Sequence, residues 1–243
     1  MRKLIHLQEC VSTNDELSKL VKSEKDLIEY VIRSDFQTSG KGQKGAFWEA
    51  KMNENLTFSY NLVDIGLYAQ NQFYISAIIA LSLVELISEI IGEENVRIKW
   101  PNDIYIGTKK VAGILIENDV CGDKIQESLI GIGLNVNQEK FESDAPNPIS
   151  MFNILHQKLN IEDLLNRYLD ISNKYVDLLR CEEFESIKSE YLKLMYQINE
   201  KRTYIVKNKE VIASITGVDE YGFLQLKIDN QLYSYDIKEV VYL

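Results

Sequence analysis

The segment KWPND, residues 99–103, places a cation, an indole, a proline, an amide and a carboxylate side by side. It ends a strand-like run, so Pro101 predicts a turn there, in which Asn102 and Asp103 bond to nearby backbone groups. The turn does not require the lysine. Taken alone, Lys99 is best interpreted as a solvated lysine at a strand edge. The other segments of the sequence decide whether Lys99 also has a functional role.

A second segment, SDFQTSGKGQKGAFW over residues 34–48, interleaves three glycines with two lysines directly after a strand-like run. Glycines let the backbone approach a ligand, and Lys41 and Lys44 add positive charge, so the pattern predicts an anion-binding loop. It does not match a P-loop, because Ala and Phe follow the last glycine where Lys and Ser or Thr are required. A glycine-rich surface loop without function is the alternative.

The overall charge argues against nucleic-acid binding. The 243 residues include 27 Lys and Arg against 37 Asp and Glu, a formal net charge of -10, which is the opposite of a nucleic-acid electrostatic footprint. Cys10, Cys121 and Cys181 are far apart and lack metal-ligand spacing, so neither a disulfide framework nor a zinc site is predicted. The N-terminus turns polar too early for a secretory signal, and we expect a cytoplasmic protein.

The stretch Tyr74–Ile91 is apolar enough to raise the question of a membrane span. Ser82, Glu85 and Glu89 recur on one helical face, which favours an amphipathic helix packed on a protein core. We therefore expect no membrane association.

Strand-like and helical runs alternate irregularly, which predicts an α+β fold with helices packed on a mostly antiparallel or mixed sheet. The spacing of Thr13 and Glu16 predicts a capping box at the start of a short helix. After Glu200 the runs become short and alternating, which is typical of a small barrel. The sequence thus predicts two domains, residues 1–196 and 197–243. Strands are predicted near residues 4–7, 29–34, 55–62, 96–100, 111–117 and 128–136, and helices at 74–91, 161–179 and 184–194.

Four blocks together resemble the catalytic core of biotin protein ligases. They are STN at residues 12–14, the glycine and lysine loop, RIKWPNDIYIGTKKVAGILIE at residues 97–117 and IGIGLNVN at residues 130–137. The blocks stand in the family's order, and KWPND followed by KxAGIL is a specific signature. The strand-rich C-terminal piece resembles the family's SH3-like domain. The resemblance implies the biotin/lipoate ligase fold, which is class II synthetase-like.

The family's reaction has two steps, which the resemblance carries over to this chain as an expectation. The biotin carboxylate attacks the α-phosphate of ATP to give biotinyl-5'-AMP, and a lysine of a biotin carboxyl carrier domain then attacks the mixed anhydride. Both transition states gather negative charge on oxygen, so a fixed ammonium, Lys99 by the match, lowers the barrier electrostatically. Mg²⁺ offsets phosphate charge, and no covalent enzyme intermediate is needed.

Site residues follow from the same resemblance, position by position. The hydroxyls and amide of STN would pair with the ureido group of biotin, Trp48 would stack on adenine, and Asn135 would read the adenine edge. Simpler alternatives are a helix cap for Thr13 and a core position for Trp48. The residues expected to bind biotin are Ser12, Thr13, Asn14, Gln37, Gly40, Lys41, Lys99, Gly113 and Ile114. Those expected to bind ATP or the adenylate are Lys41, Lys44, Trp48, Asn102, Lys110 and Asn135.

Two features depart from the family pattern. The family loop commonly reads GRGRxGRxW, and here it reads GKGQKGAFW, so Lys41 replaces an arginine, Gln43 and Ala46 replace cations altogether, and Lys44 is the second lysine of the loop. Lysine lacks the bidentate fork of arginine, so we expect weaker retention of biotinyl-AMP. Some members carry an N-terminal DNA-binding helix-turn-helix domain. Here STN begins at residue 12, so we expect a monofunctional ligase without DNA binding.

Two rival functions are open at this point. Lipoate–protein ligases share the fold and the adenylate chemistry, but their loop has a different pattern and they lack the KWPND signature. A noncatalytic biotin or nucleotide sensor is the other rival, although Lys99 argues against it. The sequence leaves open whether the chain forms a homodimer, which carboxylase supplies its acceptor, and which residues meet the metal. His6 and His156 fit no motif.

Overall fold

The structure is a computed structural model that describes residues 2–23, 27–143, 146–237 and 239–243. Its larger sheet has seven strands: β1 (Lys3–Cys10), β2 (Tyr30–Gln37), β3 (Leu56–Val63), β4 (Val96–Lys99), β5 (Asp103–Ile106), β6 (Lys109–Cys121) and β7 (Lys124–Leu134). Across the sheet the order is β1-β2-β3-β7-β6-β5-β4. Strands β1 and β2 pair in parallel, and the other neighbours pair antiparallel. The predicted α+β class with a mixed sheet is confirmed.

Helices cover both faces of this sheet. They are α1 (Thr13–Ser23), α2 (Phe73–Ile91), α3 (Phe152–Leu155), α4 (Ile161–Arg180) and α5 (Phe184–Lys193). On one face, Leu17 of α1 packs against Tyr30 and Ile32 of β2. Val31, between them in the strand, belongs to the main core on the opposite face, as the two-residue period of a strand requires.

Helix α2 is the central helix of the main core. By length and composition it could cross a membrane, but 67% of its most apolar window is buried inside the structure. It packs against β4, β5 and β6 and against α4 and α5, as predicted for a core helix. The expected polar face differs, since Ser82 is fully buried and donates to the carbonyl O of Ile78 at 2.6 Å. That bond satisfies the hydroxyl inside the core.

The C-terminal strands form a separate five-stranded antiparallel sheet. They are β8 (Lys201–Val206), β9 (Lys209–Val218), β10 (Leu224–Ile228), β11 (Gln231–Tyr235) and β12 (Val240–Tyr242), in the order β11-β10-β9-β8-β12. The chain passes from one sheet to the other between Met195, which bridges to Ile98, and Ile198, which bridges to Ile215. The division into domains at residues 196 and 197 stays a prediction.

The KWPND turn lies where it was predicted, but its stabilisation differs. Residues 100–102 turn the chain so that Lys99 pairs with Asp103, and Asp103 opens β5, a strand that the sequence analysis missed. The amide Nδ2 of Asn102 donates to the carbonyl O of Ile114 on β6 at 2.6 Å, rather than to its own turn. The carboxylate of Asp103 pairs with Lys110 Nζ at 2.7 Å. The turn is thus anchored on its neighbour strand.

The same turn contacts the small sheet. The indole Nε1 of Trp100 donates to the carbonyl O of Gly222 at 2.9 Å. Gly222 has a φ of +87°, and a Cβ placed there would lie 2.7 Å from the Cβ of Phe73, at the start of α2. Glycine therefore lets the loop between β9 and β10 approach both the helix and the turn.

We predict that Gly222→Ala destabilises the protein more than Gly107→Ala. Both glycines have positive φ, but a Cβ at Gly107 would meet nothing within 4 Å. The left-handed conformation costs each variant about 1–2 kcal/mol, and overpacking against Phe73 adds about 1–3 kcal/mol to Gly222→Ala. Urea denaturation measures both free energies of unfolding. Equal losses in the two variants would contradict the close contact.

Candidate functional site

A first pocket lies on the face of the larger sheet that α1 covers. Gly113 of β6 and Gly131 and Gly133 of β7 line it, whereas Ile130 and Leu134 belong to the core on the other face. Glycines along two adjacent strands leave the sheet surface bare of side chains. A flat ligand can therefore lie directly against the backbone.

Polar side chains at the start of α1 form a buried network in this pocket. The backbone N and the Oγ1 of Thr13 both donate to Gln37 Oε1, at 2.7 and 3.1 Å. Ser59 Oγ lies 2.7 Å from Thr13 Oγ1 and also contacts Asn14 Oδ1. Asn14 Nδ2 donates to Glu117 at 3.0 Å. Both amides are held in one orientation, which gives a polar ligand a fixed set of partners.

The predicted capping box at Thr13 is wrong. Helix α1 begins at Thr13 itself. Its hydroxyl is engaged by Gln37 and Ser59, and the backbone N of Glu16 donates to the carbonyl O of Ser12 at 3.1 Å. Capping spacing is a local signal, and partners on β2 and β3 compete successfully for the hydroxyl.

Trp48 lines both the first pocket and a second, wider pocket, and its side chain separates the two. The second pocket lies beside Lys99 and Tyr105. Gly113 on β6 lies opposite Gly133 on β7, and the two missing side chains leave a furrow for the indole. A Cβ at Gly133 would overlap the indole, and one at Gly113 would lie 2.9 Å from its Cζ3. At Gly40, a Cβ would lie 2.6 Å from the carbonyl O of Trp48. Gly113, which was predicted from sequence, and Gly133, which was not, thus leave room for the indole, and Gly40 leaves room for the backbone of Trp48.

The second pocket contains two lysines in different electrostatic states. Lys110 Nζ pairs with Asp103 at 2.7 Å and lies 5.4 Å from the centre of the Trp48 ring. Lys99 Nζ donates to Tyr105 Oη at 3.0 Å. Within the described ranges, no carboxylate forms an ion pair with Lys99. An ammonium without a counter-charge is suited to an anionic ligand.

Burial shifts the titration of both partners in this contact. Desolvation lowers the pKa of the Lys99 ammonium; nearby Asp103 partly opposes this shift, and Lys110 adds to it. Desolvation, with help from Asp103, raises the pKa of Tyr105 to about 12. The Tyr105 hydroxyl therefore stays neutral at physiological pH and accepts the ammonium's hydrogen bond.

Asn135 presents an unused acceptor at the second pocket. Its Nδ2 donates to the carbonyl O of Ile149 at 3.1 Å, which fixes the orientation of the amide. Its Oδ1 is buried and has no hydrogen-bond partner among the residues that the structure describes. A buried unpaired acceptor costs about 1–3 kcal/mol. A ligand that donates a hydrogen bond there would offset that cost.

The sequence-predicted biotin residues gather mainly in the first pocket. Gly40 supports the loop at Trp48, as described above. Lys99 differs, since it lines the second pocket. Lys41 lines the first pocket but pairs with Asp15 at 2.5 Å. Those that line the first pocket are Ser12, Thr13, Asn14, Gln37, Lys41, Gly113 and Ile114.

The sequence-predicted ATP residues are divided between the two pockets. Asn102 lines the first pocket and not the second, because its amide is bonded to β6. The side chain of Lys44 lies outside the described part of the chain. Those that line the second pocket are Trp48, Lys110 and Asn135.

Several site residues were missed from sequence. Ser59 and Glu117 hold Thr13 and Asn14, and nothing in their local sequence marks them as polar partners. Tyr105 was missed because β5 was not predicted as a strand. Strand alternation would place Tyr105 and Asp103 on one face, but only after β5 had been recognised.

Glu49 ties the loop after Trp48 to the segment beside the second pocket. Its carboxylate accepts from Gln138 Nε2 at 2.8 Å and from the backbone N of Glu142 and of Ser143, at 2.9 and 2.8 Å. Burial alone would raise the pKa of this carboxyl, but these hydrogen bonds lower it below its ordinary value of 4.5. The ionised group therefore fastens one wall of the pocket.

The model of the Biotin/lipoate A/B protein ligase family matches residues 9–135. This range covers more than half of the chain and runs from the STN segment to Asn135. The chain belongs to that family. Both pockets of this family member are built mainly from the matched range.

Curated relatives support the assignment. The Bifunctional ligase/repressor BirA of Escherichia coli (strain K12) is 28% identical over 202 residues, which cover 81% of this chain and 61% of that protein. The protein of the same name from Bacillus subtilis (strain 168) is 28% identical over 217 residues, with coverage of 86% and 65%. The chain thus spans less than two thirds of the length of either relative.

A solved structure extends the likeness to the whole fold. Biotin protein ligase from Aquifex aeolicus, in complex with biotin and ATP, superposes with a TM-score of 0.81 at 24% identity, and the match covers 99% of this chain and 98% of that one. At this identity the likeness shows a shared fold. It includes the small C-terminal sheet, so the predicted fold of this family member is confirmed.

We predict that Gly133→Ala displaces the Trp48 indole. The added methyl group overlaps the ring, and the ring moves toward water. Tryptophan emission should shift to longer wavelength in a Trp100→Phe background, where Trp48 is the sole tryptophan of the chain. Gly131→Ala is the matched control, because its methyl group would meet Asn14 instead. An equal shift in both variants would argue against the glycine furrow.

We predict that Glu49→Gln lowers the melting temperature at pH 7. A depressed carboxyl pKa contributes stability above the unfolded pKa, and that contribution is lost as pH falls through the folded pKa. The difference in melting temperature between wild type and variant therefore narrows below pH 4.5. Calorimetry at pH 7 and pH 4 measures both differences. A difference that does not change with pH would disprove the role of the charge.

Proposed function

We propose that this chain is a biotin–protein ligase, which forms biotinyl-5'-AMP from biotin and ATP and transfers biotin to a lysine of a biotin carboxyl carrier protein. The observation that carries the proposal is the adjacency of two unlike pockets. One presents an oriented polar network, the other an ammonium without a counter-charge, and Trp48 and Lys110 line both. The names of the relatives point to the same chemistry.

The first pocket suits the biotin ring system. Gln37 uses its amide oxygen for Thr13, so its Nε2 is the end that can donate to the ureido carbonyl. Ser12 and Thr13 supply hydroxyls beside it. The dithiolane of lipoate has no such donors or acceptors and would leave this buried network unpaired, which is costly. Biotin is therefore favoured over lipoate.

The second pocket suits ATP. Trp48 offers a ring for adenine, and the free Oδ1 of Asn135 can accept from its exocyclic amine. In the first step a carboxylate oxygen of biotin bonds to the α-phosphorus, the bond to the bridging oxygen breaks, and pyrophosphate leaves. Charge accumulates on the α-phosphate oxygens, and the fixed ammonium of Lys99 stabilises it without reorganisation.

The second step needs no group of the enzyme as nucleophile. The amine of the carrier lysine attacks the biotinyl carbonyl, loses a proton, and AMP leaves with the electrons of the broken anhydride bond. Holding the adenylate in place supplies most of the rate. We include a cytoplasmic location in the proposal. A homodimer is an assembly to test, since β1 forms one edge of the larger sheet.

Mg²⁺ enters the proposal with ATP. Asp103 is paired with Lys110, and Glu49 accepts hydrogen bonds from the backbone. Within the described residues, the acidic groups do not form a cluster that could hold a metal ion. The protein groups therefore do not fit a dedicated metal cage, and Mg²⁺ is expected on phosphate oxygens and water.

We predict that Lys99→Ala loses roughly 10²–10³-fold in the rate of adenylate formation, as expected when one stabilising group is removed. Biotin binding is retained, because Lys99 lines the second pocket. The assay measures transfer of labelled biotin to a carrier domain with ATP and Mg²⁺, alongside calorimetric binding of biotin. Lys109→Ala, at an exposed lysine of the same region, is the control and keeps full activity.

Two outcomes would overturn the proposal. Binding of biotin by the wild type without labelling of any carrier domain would indicate a sensor. Transfer of lipoate or octanoate in preference to biotin would indicate the same chemistry on another substrate.

A further inference from the structure

The C-terminal sheet reaches the ammonium of Lys99. Strand β12 pairs with β8, which places Tyr242 opposite Tyr204. The Nζ of Lys99 lies 4.7 Å from the centre of the Tyr242 ring and 4.8 Å from that of Tyr105. Both distances are within the roughly 6 Å range of cation–π contacts. The ammonium thus has one aromatic ring from each sheet.

Other tyrosines hold the Tyr242 ring in place. The Tyr204 ring meets it edge-on, with centres 5.5 Å apart and planes at 79°. Tyr196 lies 6.4 Å from Tyr242 and 5.4 Å from Tyr105, so it links the two rings around Lys99. The hydroxyl of Tyr242 is buried and lacks a partner in the described residues. Ring packing, rather than its hydroxyl, therefore fixes its position.

The rings of Tyr105 and Tyr242 can stabilise the partly buried Lys99 ammonium, which has no ion-pair partner among the described residues. Asp103, the acidic residue nearby, is bonded to Lys110 at 2.7 Å, so it does not neutralise Lys99 directly. Burial lowers the pKa of the Lys99 ammonium. The negative face of an aromatic ring stabilises a cation without cancelling its charge. The ammonium can therefore remain charged and still attract a ligand.

We infer that Tyr242 is a positioning residue for Lys99, and that its ring keeps the ammonium in place and charged at the second pocket. The inference rests on the proposed function, in which Lys99 stabilises charge during adenylate formation. Tyr242 itself does not line either pocket. The small sheet thus acts on the chemistry through one side chain that touches the lysine.

The test is biotin-dependent exchange of labelled pyrophosphate into ATP, with the full chain and Tyr242→Leu. Loss of the ring should lower kcat roughly three- to thirty-fold, from the usual strength of a cation–π contact. The KM for biotin should not change, because Lys99 does not line the first pocket. Activity needs charged Lys99, and removal of the ring lowers its pKa further. The alkaline limb of the pH profile therefore moves to lower pH, with Asp103, Tyr105 and Lys110 unchanged.

Two variants separate positioning from general stability. Tyr242→Phe keeps the ring face and should restore both kcat and the alkaline limb. Tyr235→Leu removes another buried tyrosine of the same sheet, one that lies 5.9 Å from Lys207 Nζ, and should change neither. If Tyr242→Leu fails to fold, pentafluorophenylalanine in place of Tyr242 preserves the ring's shape but not its negative face, and should show the same losses.

The outcomes distinguish the two levels of the proposal. If the wild type catalyses exchange and Tyr242→Leu, or the pentafluorophenylalanine variant, has a normal kcat and pH profile, the role of Tyr242 is overturned. A Tyr242→Phe variant as impaired as Tyr242→Leu does the same, because it implicates the hydroxyl. Absence of exchange by the wild type overturns the proposed function itself, and the inference with it.

Discussion

The burial of α2 is the constraint on which the rest of the structure depends. Its residues Ile75 and Ile78 are fully buried in the core. Burial of each such side chain contributes about 1.5–3 kcal/mol to the free energy of unfolding. The helix packs on β4, whose last residue is Lys99. At its N-terminal end Phe73 meets Tyr191 of α5, with ring centres 5.2 Å apart, and lies against Gly222. One buried helix thus sets the positions of Lys99, the outer helices and the small sheet relative to one another.

The two pockets arise where side chains are missing. In most sheets facing residues fill the surface, but here Gly113 and Gly133 stand opposite each other and admit the Trp48 ring. The ring then divides the groove into a polar compartment near α1 and a cationic one near the KWPND turn. A substrate that reacts across this wall must present its neutral end to one compartment and its acidic end to the other. The proposed substrates, biotin and ATP, would divide in this way.

The charge of the site is local and opposes that of the whole chain. The protein carries a formal net charge of -10, yet the second pocket holds Lys99 without a paired carboxylate among the described residues. Lys110, eleven residues on, is neutralised by Asp103. Two lysines eleven residues apart in the sequence therefore have different electrostatic properties. The difference comes from what packs beside each: a carboxylate for Lys110 and aromatic rings for Lys99.

The sequence by itself determined the fold class, nearly every strand, the C-terminal sheet and most residues of the first pocket. The fold class and the strands follow from alternation and turn residues, which are local properties of the chain. The pocket residues follow from the resemblance of four ordered motifs to a known family. The tertiary structure alone decided that Thr13 bonds to Gln37 instead of capping its helix, and that Asn14 meets Glu117, 103 residues away. It also decided that Lys99 lies against Tyr242. Contacts across such separations depend on which strands and helices become neighbours and on how the two sheets dock, and no local pattern of residues encodes either.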